Sequence, residues 1–66
     1  MSIFKKLRET QKVSQQAVAV AMGLSLTAYR NKENGRSKFY FDEVPQFCEA
    51  IGVNLADVVN QIFLSK

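Results

Sequence analysis

The sequence predicts an all-α fold, a compact arrangement of five short helices, on three observations. Apolar residues recur at three- and four-residue spacing along the chain, the period of a helix with one buried stripe. Helix-starting residues (Ser2, Ser14, Ser25, Asp42, Asn54) alternate with helix-stopping glycines (Gly23, Gly35, Gly52). The stretch from Ser14 to Gly35, SQQAVAVAMGLSLTAYRNKENG, reads as two short helices joined by a tight turn.

Ser2 is placed to cap a first helix from Ile3 to about Gln11, with Phe4 and Leu7 facing the core and Ile3 and Arg8 at the edges. Lys5, Lys6 and Glu9 then lie in water, and Val13 is expected to be buried in the following turn. Ser14 caps a second helix, Gln15 to Met22, closed by Gly23 in the left-handed conformation. Ser25 supplies an N-cap oxygen for a third helix, Leu26 to Glu33, stopped by Asn34-Gly35. One helix, a three-residue corner and another helix make the helix-turn-helix plan, here over residues 15–33, whose second helix enters the DNA major groove. Ala19 is small four residues before Gly23, where two helices meeting steeply leave no room for a long side chain. Val18, Met22, Leu24 and Tyr29 are the expected apolar contacts of the pair.

Pro45 sets the start of the fourth helix. With Asp42 as N-cap, Pro45 falls at the third helical position, where its missing N–H has no intrahelical partner anyway. The fourth helix is therefore expected over Glu43 to Ile51, burying Val44, Phe47, Cys48 and Ile51, with Gly52 ending it. Asn54 caps a fifth helix, with Asp57 at the capping-box position and Val53 and Val58 in staple register. Leu55, Val58, Val59 and Ile62 form its apolar stripe, extended by Phe63 and Leu64. Between the third and fourth helices, Phe39-Tyr40-Phe41 offers either a stacking platform for single-stranded nucleic acid or core packing; packing is preferred, with Phe41 inside and the other two covering it.

Sixty-six residues make one domain, 1–66, and no apolar run approaches the ~20 residues needed to span a bilayer. The N-terminus MSIFKKLRE has no uninterrupted apolar core, so it does not read as a secretion signal, and the one cysteine cannot form an internal disulfide. A reduced, cytoplasmic setting is expected. The net charge of +3 is unevenly spread: through Tyr40 eight bases stand against two acids, while from Phe41 onward one base stands against four acids. A basic half joined to an acidic half suggests one face turned to a polyanion.

With Tyr29 as the inward reference and 100° per residue, Thr27 and Asn31 point outward, and Arg30 and Ala28 lie on the flanks. Short outward polar side chains suit base-edge readout: Asn31 can pair with adenine through its amide, and Thr27 can meet a thymine methyl or a base acceptor. Leu26, at the helix tip, serves either a methyl contact or the core. The expected base-reading set is thus Leu26, Thr27, Arg30 and Asn31. Lys32 lies about 60° from the inward direction and is expected to run its stem over the core edge. Gln15 and Gln16 at the start of the second helix, Ser25 at the start of the third, and Arg36 and Lys38 in the loop after it are expected phosphate contacts.

At Leu7-Arg8-Glu9, Ser14-Gln15-Gln16, Gly23-Leu24-Ser25, Glu33 to Lys38 and Ala50 to Leu55, the chain resembles the lambda-repressor-like family, the Xre/Cro type of phage and bacterial transcriptional regulators. The resemblance spans nearly all 66 residues and rests on the joint order of these pieces. It implies a five-helix domain that binds an operator as a two-fold dimer and regulates transcription, most like the small phage Cro-type repressors. Restriction-controller proteins and antitoxins share the domain. By matching position it implies phosphate contacts at Gln15, Asn34, Arg36 and Lys38 and base contacts at Leu26, Thr27 and Asn31. Two positions depart from the pattern: Lys32 stands where the family often carries a large apolar residue, and Tyr29 replaces a common aliphatic.

With no histidine, one core cysteine and no clustered carboxylates, neither a nucleophile–base pair nor a metal site can be assembled, so an enzyme is not expected. No cofactor, metal or small-molecule ligand is expected either. The expected partners are double-stranded DNA, as an inverted-repeat operator, and a second copy of the chain in a weak homodimer through Val59, Phe63 and Leu64. The competing reading is a helical protein-interaction module, antitoxin-like, that meets its partner through the apolar fifth helix.

Overall fold

A computed structural model describes residues 2–64. The chain forms α1 (Ile3–Thr10), α2 (Gln15–Ala21), α3 (Leu26–Glu33), α4 (Val44–Ile51) and α5 (Leu55–Leu64). A short 3-10 turn, Phe41–Glu43, leads into α4, and no strand occurs among the described residues. The all-α, five-helix expectation therefore holds.

Serine oxygens start the first three helices. Ser2, Ser14 and Ser25 each sit in extended backbone and accept the N–H of Phe4, Ala17 and Ala28 respectively, at 3.0–3.2 Å. Each such cap stabilises its helix by about 1 kcal/mol. Helices α1 to α4 all end in one way: a residue with positive φ follows the helix, and the next N–H reaches back five residues to a carbonyl. Leu24 N–H to Ala19 O at 2.8 Å, Arg36 N–H to Asn31 O at 2.9 Å and Val53 N–H to Cys48 O at 3.0 Å use Gly23, Gly35 and Gly52 as the left-handed residue. At the end of α1 that residue is Lys12, with φ 59°, and Val13 N–H bonds to Arg8 O at 3.2 Å. A lysine there carries a steric cost that glycine avoids.

The core forms where α2, α3 and α4 converge. Val18, Ala19, Tyr29 and Phe47 are fully buried, with Met22 and Ile51 beside them. Ala19 has no exposed surface, as the crowding at the helix pair requires. A second cluster of Val44, Cys48 and Val58 joins α4 to α5, with Ile62 packed against it. The four α4 residues expected inside are all buried, and burial pushes the Cys48 thiol pKa up. Gln11 Nε2 donates to the Ile51 carbonyl at 3.2 Å, tying the end of α1 to the end of α4.

Three expectations need correction. Phe41 is not in the core but 65% exposed; Phe39 takes its place. Phe39 stacks on Phe4 (centroids 3.8 Å apart, rings 9° from parallel), and both meet the edge of Phe47, so one aromatic triad pins α1, the loop after α3, and α4 together. Asp42 is not an N-cap, because it falls within the 3-10 turn, and α4 starts at Val44 with Pro45 in its first turn. The carboxylate that matters is Glu43, which turns back to accept the Tyr40 N–H at 2.9 Å. Leu55, expected in the core stripe of α5, is 41% exposed, and Val58 alone on that helix is buried.

Candidate nucleic-acid interface

The corner between α2 and α3 is closed by Gly23 at φ 69°, with Gly23 N–H to Val20 O at 3.1 Å preceding the Leu24 bond. Ser25 then caps α3, so its hydroxyl stands at the tip of that helix beside Leu26. Thr27 and Arg30 are exposed on α3, and Leu26 and Ala28 are half-buried. Asn31, expected to point straight outward, is half-buried. The loop after α3 folds back at this point, with both Arg36 N–H and Ser37 N–H donating to the Asn31 carbonyl. Asn34, Arg36 and Lys38 are exposed in that loop, and Gln16 is exposed at the start of α2.

Lys32 explains how the loop is held. Its ammonium donates to Glu43 Oε1 at 3.0 Å and to the Lys38 carbonyl at 3.1 Å, and lies 5.2 Å from the centre of the Tyr40 ring. The stem runs over the core edge as expected, but the charged head is anchored, not solvated. With Phe39 gripped by Phe4 and Phe47, the segment carrying Arg36 and Lys38 is fixed at both ends relative to α3.

Beneath α3 lies a buried polar cluster centred on Glu33. Its carboxylate accepts Arg8 Nε at 2.8 Å and Nη2 at 3.1 Å, Gln15 Nε2 at 3.0 Å and the Tyr29 hydroxyl at 2.5 Å. Arg8 Nη1 donates onward to the Val13 carbonyl at 2.8 Å. Burial alone would push the Glu33 carboxyl up, but the donors from Arg8, Tyr29 and Gln15 outweigh it and hold it below the usual carboxylate range. The Glu33 carboxylate in turn pushes the Arg8 guanidinium further up, so it stays charged. Burial first, and the bond to Glu33 second, push the Tyr29 phenol well above its ordinary value.

Gln15 has both ends of its amide engaged: Nε2 on Glu33, and Oε1 accepting Arg30 Nε at 3.0 Å. The side chain expected at a phosphate is thus part of the support beneath α3. Arg8 and Glu33 are the residues that sequence reasoning passed over. The signal existed, because Glu33 lies four residues after the inward Tyr29, only about 40° from the inward direction, and Arg8 follows Phe4 by four on the core face of α1.

The basic surface is smaller and better defined than the sequence count. Of the eight bases through Tyr40, Arg8 is buried against Glu33 and Lys32 is committed to Glu43. The other six, Lys5, Lys6, Lys12, Arg30, Arg36 and Lys38, are exposed.

Two helices joined by a glycine corner, packed through Ala19, with the second helix exposing Thr27 and Arg30, define a helix-turn-helix protein. The family model described as a helix-turn-helix domain matches residues 4–60, from α1 into α5. The chain belongs to that family. No curated protein and no solved structure matches it significantly. No helix among the described residues is long and apolar enough to cross a membrane.

Proposed function

We propose that the protein is a sequence-specific double-stranded-DNA-binding transcriptional regulator of the Xre/Cro type, a repressor that lays α3 in the major groove of its operator. The observation that supports this reading is the set of six exposed bases on α1, its following turn, α3 and the loop after it, in a chain whose second helix of the pair is the one that enters the groove in a helix-turn-helix. In this reading Leu26, Thr27, Arg30 and Asn31 address base edges, with Asn31 half-buried. Gln16, Ser25, Asn34, Arg36 and Lys38 address the sugar-phosphate backbone and set the register of the helix.

One recognition helix reads too few base pairs to find a site among genomic competitors, so the reading includes a weak two-fold dimer on an inverted repeat. Val59, Phe63 and Leu64 on α5 supply its apolar surface, with Phe63 60% and Leu64 84% exposed.

A gel shift on nonspecific duplex at graded salt tests the DNA-binding core of the proposal. Affinity falls steeply between roughly 50 and 200 mM salt, each neutralised phosphate contributing about −0.9 to the log–log slope. Binding insensitive to salt, or no binding at low salt, overturns it in favour of a protein-interaction module. Selection from a random duplex library then gives the operator half-site.

A further inference from the structure

The buried cluster under α3 does not stop at the protein surface. Glu33 carries a full negative charge and has no donor of its own, so only the NH2 end of the Gln15 amide can face it. That choice fixes the other end of the amide. Gln15 Oε1 is turned outward and takes the Nε–H of Arg30 at 3.0 Å. Arg30 is exposed, and a free arginine in water would sample many rotamers. Here its Nε is tethered to α2, one of the five N–H groups is spent, and the two terminal nitrogens remain as a planar fork at the end of the side chain. Such a fork matches two acceptors presented side by side, as on the O6/N7 edge of a guanine or on two oxygens of a phosphate.

We propose that Gln15 is a positioning residue that does not itself bind DNA but aims Arg30 at a paired acceptor on the duplex. The chain of contacts runs from Arg8 on α1 through Glu33 and Gln15 to Arg30, so the aim of one surface arginine is set from inside the core. The inference rests on the DNA-binding reading above and gives Gln15 a different role from a phosphate contact. Glu33 keeps its Arg8 and Tyr29 donors when Gln15 is removed, so the helix pair stays folded in a Gln15→Ala variant.

The test is a double-mutant cycle with Gln15→Ala, Arg30→Ala and the double variant, each assayed for duplex affinity, salt slope and selected site. The expected result is that Gln15→Ala reproduces a large part of the Arg30→Ala loss, about fivefold or more on the preferred site, and that the double variant is no worse than Arg30→Ala. If both single variants lose preference for a guanine at the same base pair, the acceptor is the base edge. If both weaken all sequences alike and flatten the salt slope, it is a phosphate. Additive losses, or a Gln15→Ala variant with a lowered salt slope in the Arg30→Ala background, overturn the proposal. Nitrogen-15 NMR of the free protein gives an answer that does not depend on DNA binding: the Arg30 Nε–H exchanges slowly in the wild type and fast in Gln15→Ala, and in Gln15→Met, which keeps the side-chain bulk without the amide. Fast exchange already in the wild type overturns the Gln15–Arg30 link, whereas slow exchange with no duplex binding overturns the DNA-binding reading instead.

Discussion

Arg8 on α1 and Glu33 at the end of α3 form a buried ion pair, Nε to Oε2 at 2.8 Å, across 25 residues of chain. Removing one member of such a pair strands the other charge in the core and costs about 3–5 kcal/mol. A domain of this size has a total stability of roughly 3–10 kcal/mol. Arg8→Ala and Glu33→Ala are therefore each expected to remove a large share of the stability, read as a lowered urea midpoint. Arg8→Met combined with Glu33→Met costs less than the two single changes added together, because neither charge is left alone.

The same pair sets the response to pH. Glu33 is held below the usual carboxylate range, so its contribution is complete above the unfolded value of about 4.3 and is lost as pH falls through the lowered native value. Thermal melts should be level from neutral pH to about 5 and then decline, with a shallower decline in Glu33→Gln. Tyr29 has the opposite sign of dependence: its raised phenol contributes stability that is complete below its unfolded pKa of about 10 and is lost as the pH climbs through the native value. Absorbance of tyrosinate should show Tyr29 protonated past pH 10 until alkaline unfolding. Equal acid sensitivity in wild type and Glu33→Gln would show that other carboxylates govern it.

The aromatic triad separates two neighbouring phenylalanines. Phe39→Ala removes a ring stacked at 3.8 Å on Phe4 and edge-on to Phe47, and should destabilise by about 2–4 kcal/mol. Phe41→Ser changes a side chain that is 65% exposed and should stay within about 0.5 kcal/mol of wild type. Urea midpoints of the two variants check the contrast.

Much of this fold was legible because its signals are local. Serine caps and glycine stops are decided within one turn of helix, and the α3 bounds Leu26–Glu33 came out as expected. The aromatic assignment failed because Phe39 and Phe41 are two residues apart, and only the distant rings of Phe4 and Phe47 decide between them. The polar cluster needed helical stepping applied to charged residues as well as apolar ones. Helical stepping along α3 turns Asn31 outward but says nothing of the loop after α3, which folds back to its carbonyl through Arg36 and Ser37. That Lys12 would take a left-handed conformation is not encoded in its side chain at all, because the turn imposes it.

Three of the four matching helix ends use glycine and the fourth uses Lys12 at φ 59°. Lys12→Gly removes the steric cost but adds freedom to the unfolded chain, for a net gain of about 0.5–1 kcal/mol. Thermal denaturation should show a rise of a few degrees. Lys12→Val, β-branched at the same φ, should lower stability.

Within the proposed DNA complex, base-reading and phosphate contacts are separable. Asn31→Ala should cost about 1–3 kcal/mol on the preferred site and relax choice at one base pair. Lys38→Ala should weaken all sequences alike and flatten the salt slope by about 1. A selected site unchanged by Asn31→Ala would mean that α3 presents a different face to the groove.

The dimer prediction turns on α5. Its one buried side chain is Val58, Ile62 packs on the second cluster, and Val59 is half-buried beside them. Phe63 and Leu64 remain largely exposed, and the exposure of Leu55 enlarges the apolar surface beyond what the sequence stripe suggested. A surface of this kind on so small a chain is suited to a second copy, and a two-fold pair would set half-sites about one helical turn of DNA apart. The surface is short, so association should be weak in free solution and completed on the operator, where each recognition helix contributes to holding the other copy. Phe63→Asp places a charge at the centre of that contact and, at 60% exposure, leaves the monomer core intact. Sedimentation should show a concentration-dependent dimer that this variant loses, and operator titrations should lose cooperativity while nonspecific binding per monomer is retained. Normal operator binding by Phe63→Asp, or occupancy of one asymmetric site by a monomer, would refute the dimer and leave the monomeric reading of α3 standing.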